Sequence, residues 1–233
     1  MKKNFIFLLS VLLVSSLAFA QELKNYNFNK LYKELSYDRS DFSASEDEIY
    51  ALETYKSKED SFYRDINAYL RAFPNVAYDW YSVSPEESKT IVKNLDQYFK
   101  KIPSIPSDIA LYRGVDLKYR KNKSFTSGEE FIEKGYLSTS TSFKVADYFA
   151  NQINDNATNG SRKAIFVLYS TQQPLKAILI DQGEDEALLN HSQKIRIMIV
   201  KIKKDYDLYL AQICAQVCQK DISKEAKNFF KKF

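Results

Sequence analysis

The stretch DQGEDEALL, residues 181–189, places Glu184 and Glu186 one residue apart. In an extended segment that spacing projects both carboxylates to the same side, where each raises the pKa of the other unless hydrogen bonds offset the repulsion. A second stretch, GYLSTSTSF at 135–143, sets the hydroxyls of Ser138, Thr139, Ser140 and Thr141 between Tyr136 and Phe143. A buried hydroxyl needs a hydrogen-bond partner, and one on a strand beside a carboxylate can fix the rotamer of that carboxylate. The third piece is Arg113, near the end of the apolar run IALYRGV at 109–115, whose planar fork suits a phosphate. Taken singly, these are a solvated charge, a turn or helix cap, and an acidic loop. Together they describe a pocket for a phosphorylated, sugar-bearing substrate in which positive charge develops at the sugar carbon.

The elements that must hold these groups follow from the spacing of apolar residues. From residue 22 to about 102 they recur at three and four, which predicts helices. One carries Ile49, Leu52 and Tyr55, and another carries Phe62, Ile66, Tyr69, Leu70 and Phe73. A third opens at Ser84 with Pro85 and two glutamates, a cap, a first-turn proline and acids that complement the helix dipole. After Pro103 and Pro106 the period changes, and 109–115, 163–170, 176–180 and 194–202 read as strands, the last with Ile195, Ile197 and Ile199 on one face. Short helices are expected at 127–134 and 142–152, with Ser142 as N-cap of the second. Helices first and strands after argue for an α+β fold, a helical lobe at 21–104 followed by a strand-rich core at 105–205. The tail, 206–233, reads as an amphipathic helix with Leu210, Ile213, Val217 and Phe229 on its apolar side. Docking on the domain is favoured over a membrane surface or a partner.

Composition sets outer limits. Two lysines, an apolar run from Phe5 to Leu17 and Ala18-Phe19-Ala20 form a secretory signal at 1–20, too short for a membrane anchor, so export is expected. Removing Lys2 and Lys3 lowers the formal charge from +4 to +2, an excess too weak to argue for a nucleic-acid partner. No later segment has the length of a membrane span. One histidine and two cysteines cannot assemble a usual zinc site, so no metal is expected. Cys214 and Cys218 stand four apart, which on a helix lies near the limit for a disulfide, and their pairing is left open.

The arginine of LYRG, the S-T-S of GYLSTSTS and the E-x-E of GEDEALL, in that order and spacing, resemble the signature of the bacterial toxin mono-ADP-ribosyltransferases of the Arg-Ser-Glu group. The segment EEFIEKG before S-T-S, taken as a helix, and the strand KIRIMIV after the glutamates extend the resemblance over roughly 105–204. It implies NAD as co-substrate, with Arg113 on the pyrophosphate or adjoining ribose, Ser138 holding Glu186, and Glu186 stabilising an oxocarbenium-like cation as nicotinamide leaves. Glu184 would position or deprotonate the acceptor, and a glutamate there goes with arginine acceptors. Gly114, Thr139, Ser140 and Phe149 fall where relatives contact NAD, although Phe149 reads equally as an apolar anchor of its helix. His191 stands where relatives often have proline and reads as surface loop. Arg162 is a weak candidate for a second phosphate-binding arginine. The resemblance thus implies an exported toxin acting on an arginine-bearing target protein, with a separate component for delivery. An NAD glycohydrolase and a catalytically inactive binding module of the same fold are the alternatives, and a glycoside hydrolase using Glu184 and Glu186 is disfavoured.

Overall fold

The computed structural model describes residues 23–35, 43–57, 62–72, 82–117, 123–152, 162–170, 174–180, 185–214 and 217–233. The signal segment and Glu184 lie outside them. Four helices come first, α1 (Phe28–Glu34), α2 (Glu46–Lys56), α3 (Phe62–Ala72) and α4 (Pro85–Lys101). Their starts are set by local chemistry. Ser45 and Glu48 form a reciprocal capping box on α2, and Ser84 accepts from the backbone N–H of Glu87 ahead of Pro85 on α4. On α2 the buried stripe is Ala51, Leu52 and Tyr55, whereas Ile49, expected on that face, is 39% exposed. Glu48 is buried in its place and receives Lys101 Nζ at 2.7 Å and the Ser45 N–H at 2.8 Å.

The rest of the chain builds one sheet of nine strands. In chain order these are β1 (Ser104–Ile105), β2 (Leu111–Asp116), β3 (Glu130–Glu133), β4 (Leu137–Ser140), β5 (Lys163–Tyr169), β6 (Leu175–Ile180), β7 (Glu186–Leu189), β8 (Gln193–Ile202) and β9 (Tyr206–Cys214), with α5 (Phe143–Gln152) between β4 and β5 and α6 (Lys224–Phe230) at the end. Across the sheet the order is β1-β6-β7-β4-β2-β5-β9-β8-β3, antiparallel except where β5 meets β9. One face, with Leu111, Phe166, Leu188 and Ile197, packs against the helical lobe. The other, with Tyr112, Ile165, Val167, Leu208 and Leu210, is covered by Ala146 and Ala150 of α5 and by Ala226, Phe229 and Phe230 of α6.

Three expectations change. Residues 130–133 are a strand, not part of a helix. The segment is rich in helix formers, but Phe131 turns into the core and Glu130 pairs with Lys194 at 2.8 Å and Arg196 at 2.5 Å across the ladder to β8, so tertiary pairing overrides propensity. Among the described residues the tail is helical only in α6. Tyr206–Cys214 is an interior strand in which every residue from Asp207 on is buried, Asp207 and Gln212 with the apolar ones, so no alternation reveals it. The run Ile195, Ile197, Ile199 does not stay on one face, because a bulge between Ile197 and Ile199 turns Ile199 to the second cluster. Because Cys214 ends a strand, its Cα lies 5.0 Å from that of Cys218 and the two form a disulfide.

Candidate functional site

Strand β2 carries the site by alternation. Leu111 turns to the helical lobe, Tyr112 to the opposite face, Arg113 back to the lobe side and Gly114 to α5. A Cβ on Gly114 would lie 2.0 Å from the carbonyl oxygen of Ala146 and 2.7 Å from the backbone nitrogen of Ala150. Glycine at 114 is therefore what lets α5 lie directly on β2, and its bare face is turned to that helix. Arg113 borders a cavity of about 570 Å³ walled by Val115, Phe131, Leu137, Phe166, Leu168 and Ile195, with Arg71 of α3 on its rim. Its Nη1 donates to the carbonyl of Ser138 at 2.7 Å.

The start of β4 is clamped to α3. Buried Asn67 accepts from the N–H of Tyr136 at 2.7 Å and donates to the hydroxyl of Tyr55 at 2.9 Å. A Cβ at Gly135 would lie 2.7 Å from Asn67 Oδ1, so a side chain there would push Asn67 out of its bond to Tyr136. Arg71, one turn on from Asn67, meets Glu133 Oε1 at 3.0 Å, and that oxygen also accepts from the Gly135 N–H. Burial pushes the pKa of the Tyr55 hydroxyl far up. The Asn67 bond and the charges of Arg113 and Arg71 oppose the shift, while the charge of Glu186 adds to it. The charges of Glu186, Arg113 and Arg71 thus all act on one buried phenol of the helical lobe.

Across the β4–β7 ladder Ser140 stands opposite Glu186, and Ser138 opposite Leu188. The Ser138 hydroxyl is exposed and forms no hydrogen bond with a described residue, so the expected Ser138–Glu186 bond is not made; Ser138 acts here through its carbonyl to Arg113. Thr139 is buried and donates to the carbonyl of Ala187, and Ser140 Oγ accepts from the N–H of Ser142 at 3.0 Å. Glu186 is half-buried and is also paired with Ile180. Asp185, just before it, has a φ of 47°, so the extended alternation assumed for the E-x-E segment stops at Glu186.

Of the expected residues that are described, only Arg113 lines the cavity, and three others lie apart from β4 and β7 as well. Phe149 is half-buried on α5, meets Tyr148 with ring centroids 5.9 Å apart and joins neither core cluster, so it is not the apolar anchor of that helix. His191 is no free surface loop. Its Nε2 lies 3.1 Å from Asp96 Oδ2 on α4, and its ring meets the edge of Tyr136. Arg162 sits apart, its guanidinium bound twice by fully buried Asp207, which rules it out as the second arginine of this cavity. The second arginine that lines this cavity is Arg71, which the motifs above do not include; nor do they include Asn67, and Tyr55 figures there only as an apolar residue of its helix. The available signal was the spacing of Asn67 and Arg71, four apart on one helix face.

Comparison with known proteins places this arrangement. Residues 20–221 match the ADP-ribosyltransferase exoenzyme family. Among solved structures, the Vis toxin, an ADP-ribosyltransferase from Vibrio splendidus, is 18% identical, with a TM-score of 0.61 over 81% of this chain and 83% of its own. The C3 exoenzyme of Clostridium limosum is 21% identical, with a TM-score of 0.59 over 84% of this chain and 99% of its own. C3stau2 from S. aureus, solved with NAD, is 19% identical, with a TM-score of 0.58 over 84% of this chain and all of its own. No curated protein is matched by sequence.

Proposed function

Because the chain belongs to the ADP-ribosyltransferase exoenzyme family, we propose that it is an exported toxin that moves ADP-ribose from NAD to an arginine of a target protein. The observation that carries this reading is that Arg113 and Arg71 line one cavity with largely apolar walls, while Glu186 stands on β7, paired with the strand β4 whose Ser138 carbonyl anchors Arg113. Apolar walls with a few convergent charges suit flat rings joined by a pyrophosphate.

In this reading Arg113 and Arg71 hold the pyrophosphate and its adjoining ribose, each already anchored through a bond to Ser138 or Glu133 that limits the entropy lost on binding. Glu186 faces the nicotinamide ribose. As the bond between the ribose carbon and the nicotinamide nitrogen breaks, its electron pair leaves with nicotinamide, and the carboxylate stabilises the cation left on the sugar. An arginine nitrogen attacks that carbon and gives up a proton, which Glu184 accepts. Ser138 contributes by turning its free hydroxyl to Glu186 once substrate orders the site, and Gly114, Thr139 and Ser140 shape the wall behind it. Phe149, outside the core, is available to the nicotinamide ring.

The choice of arginine rests on the glutamate at 184. It is in keeping with the fact that Vis, a structural neighbour, has been solved with agmatine, which bears the same guanidinium group. The test is nicotinamide release by residues 21–233 with and without agmatine, beside Glu186→Gln and Glu184→Gln. Release stimulated by agmatine, with ADP-ribosylated product, abolished by the first change and uncoupled from transfer by the second, is expected. Release indifferent to agmatine and to Glu184→Gln points to a glycohydrolase, and no release at all to a binding module.

A further inference from the structure

The residue between the two glutamates carries a conformation that few side chains accept. Among the described non-glycine residues only Ser43, Asp185 and Ser192 have positive φ, and Asp185 alone of these adjoins the site. Its backbone is held there, since its carbonyl accepts from the N–H of Thr141 at 3.1 Å, one step beyond the Ser140–Glu186 pair. Glu186 is also paired on its other side with Ile180, the last residue of β6. The chain therefore changes hand immediately before a residue whose backbone is fixed by two neighbouring strands. The carboxylate of Asp185 forms no hydrogen bond with a described residue and borders a separate cavity beside Thr141 and Asn27. What the fold uses at 185 is the backbone.

We propose that Asp185 is a positioning residue of the reaction: its left-handed backbone, pinned by Thr141, sets the direction of Glu186, so that position 185 takes only residues that tolerate positive φ. Aspartate, asparagine and glycine do so, while a β-branched side chain does not. The inference rests on the catalytic role given to Glu186 above.

The test compares Asp185→Asn, Asp185→Gly, Asp185→Ala and Asp185→Val in nicotinamide release, with Tm measured alongside. Asn and Gly are expected to keep near wild-type kcat. Val is expected to lose about a hundredfold in kcat, the loss typical of a reacting group misplaced by about 1 Å, with KM for NAD little changed. Ala should fall between them and decides the matter if the Val variant does not fold. Retained kcat in the Val or Ala variant overturns the proposal. So does an Asn variant as impaired as Val, because the carboxylate would then be the working group. If the wild type releases no nicotinamide, the catalytic reading fails, and crystal structures of the wild type and Asp185→Val decide the positioning claim: a displaced Glu186 carboxylate supports it and an unmoved one overturns it.

Discussion

Gly114→Ala is the smallest change that should damage the core and the site together. Its added methyl would sit 2.0 Å from the Ala146 carbonyl and 2.7 Å from the Ala150 nitrogen, against an ordinary contact near 3.4 Å, so α5 must retreat by more than an ångström. Both obstacles are backbone atoms of one helix, and no rotamer change relieves them. For the same reason Ala146→Gly should not rescue the variant. The φ of Gly114 lies outside the region reserved for glycine, so alanine would otherwise gain about 0.4–1 kcal/mol by restricting the unfolded chain. Overpacking costs about 1–3 kcal/mol, and a clash with rigid backbone belongs at the top of that span. A net loss of about 2 kcal/mol lowers Tm by about 4–8 °C in a domain of this size. Because β2 also carries Arg113 and α5 follows directly from β4, turnover of NAD should fall about 10–100-fold as well. Differential scanning fluorimetry and a nicotinamide-release assay read the two effects. An unchanged Tm refutes the packing argument, and a lowered Tm with full turnover refutes the link from α5 to the site.

Two further outcomes concern stability. Burial works to raise the pKa of Asp207, but hydrogen bonds from Arg162, Ser124 and Tyr209 hold it below the usual carboxylate range, so its contribution to stability is present above the unfolded value and is lost as pH falls through the folded one. Asp207→Asn should therefore be less stable than wild type by about 3–5 kcal/mol at pH 7, with the gap closing below about pH 4 in urea titrations; a gap independent of pH would contradict this. Removing both Cys214 and Cys218 opens a loop too short to restrict the unfolded chain strongly, a loss of about 2 kcal/mol by chain entropy. Since neither sulfur borders the cavity, the double alanine variant should melt lower yet keep its turnover, measured by the same two assays.

Strands β2, β5, β6 and β8 were legible because apolar residues, many of them β-branched, recur in short runs, and α4 because its cap, proline and acids are written in four consecutive residues. Two of the failures share one cause. Glu130 to Glu133 stands in a glutamate- and lysine-rich run and Tyr206 to Cys214 lacks alternation, and what makes them strands lies elsewhere in the chain, in Lys194 and Arg196 for the first and in the layers that bury the second. The site divides in the same way. Arg113 and Glu186 stand in recognisable local patterns, whereas Arg71 and Asn67 are polar residues that apolar spacing does not register, and Tyr55 reads there only as an apolar residue of its helix. Their relation to β4 exists only once α3 lies against Gly135.

The strand order has one more consequence, for behaviour at high concentration. A sheet ends in two rows of unpaired backbone groups that invite further strands, and here those rows belong to β1 and β3, of two and four residues. β3 carries a glutamate at each end, one tied to Lys194 and Arg196 and the other to Arg71. Short, charged margins of this kind offer little template for edge-to-edge growth. The long apolar strands, β5 and β9, lie well inside the sheet. The folded protein should therefore resist fibril formation, and the aggregation hazard moves to the unfolded chain, where Tyr206 to Cys214 is the segment to protect.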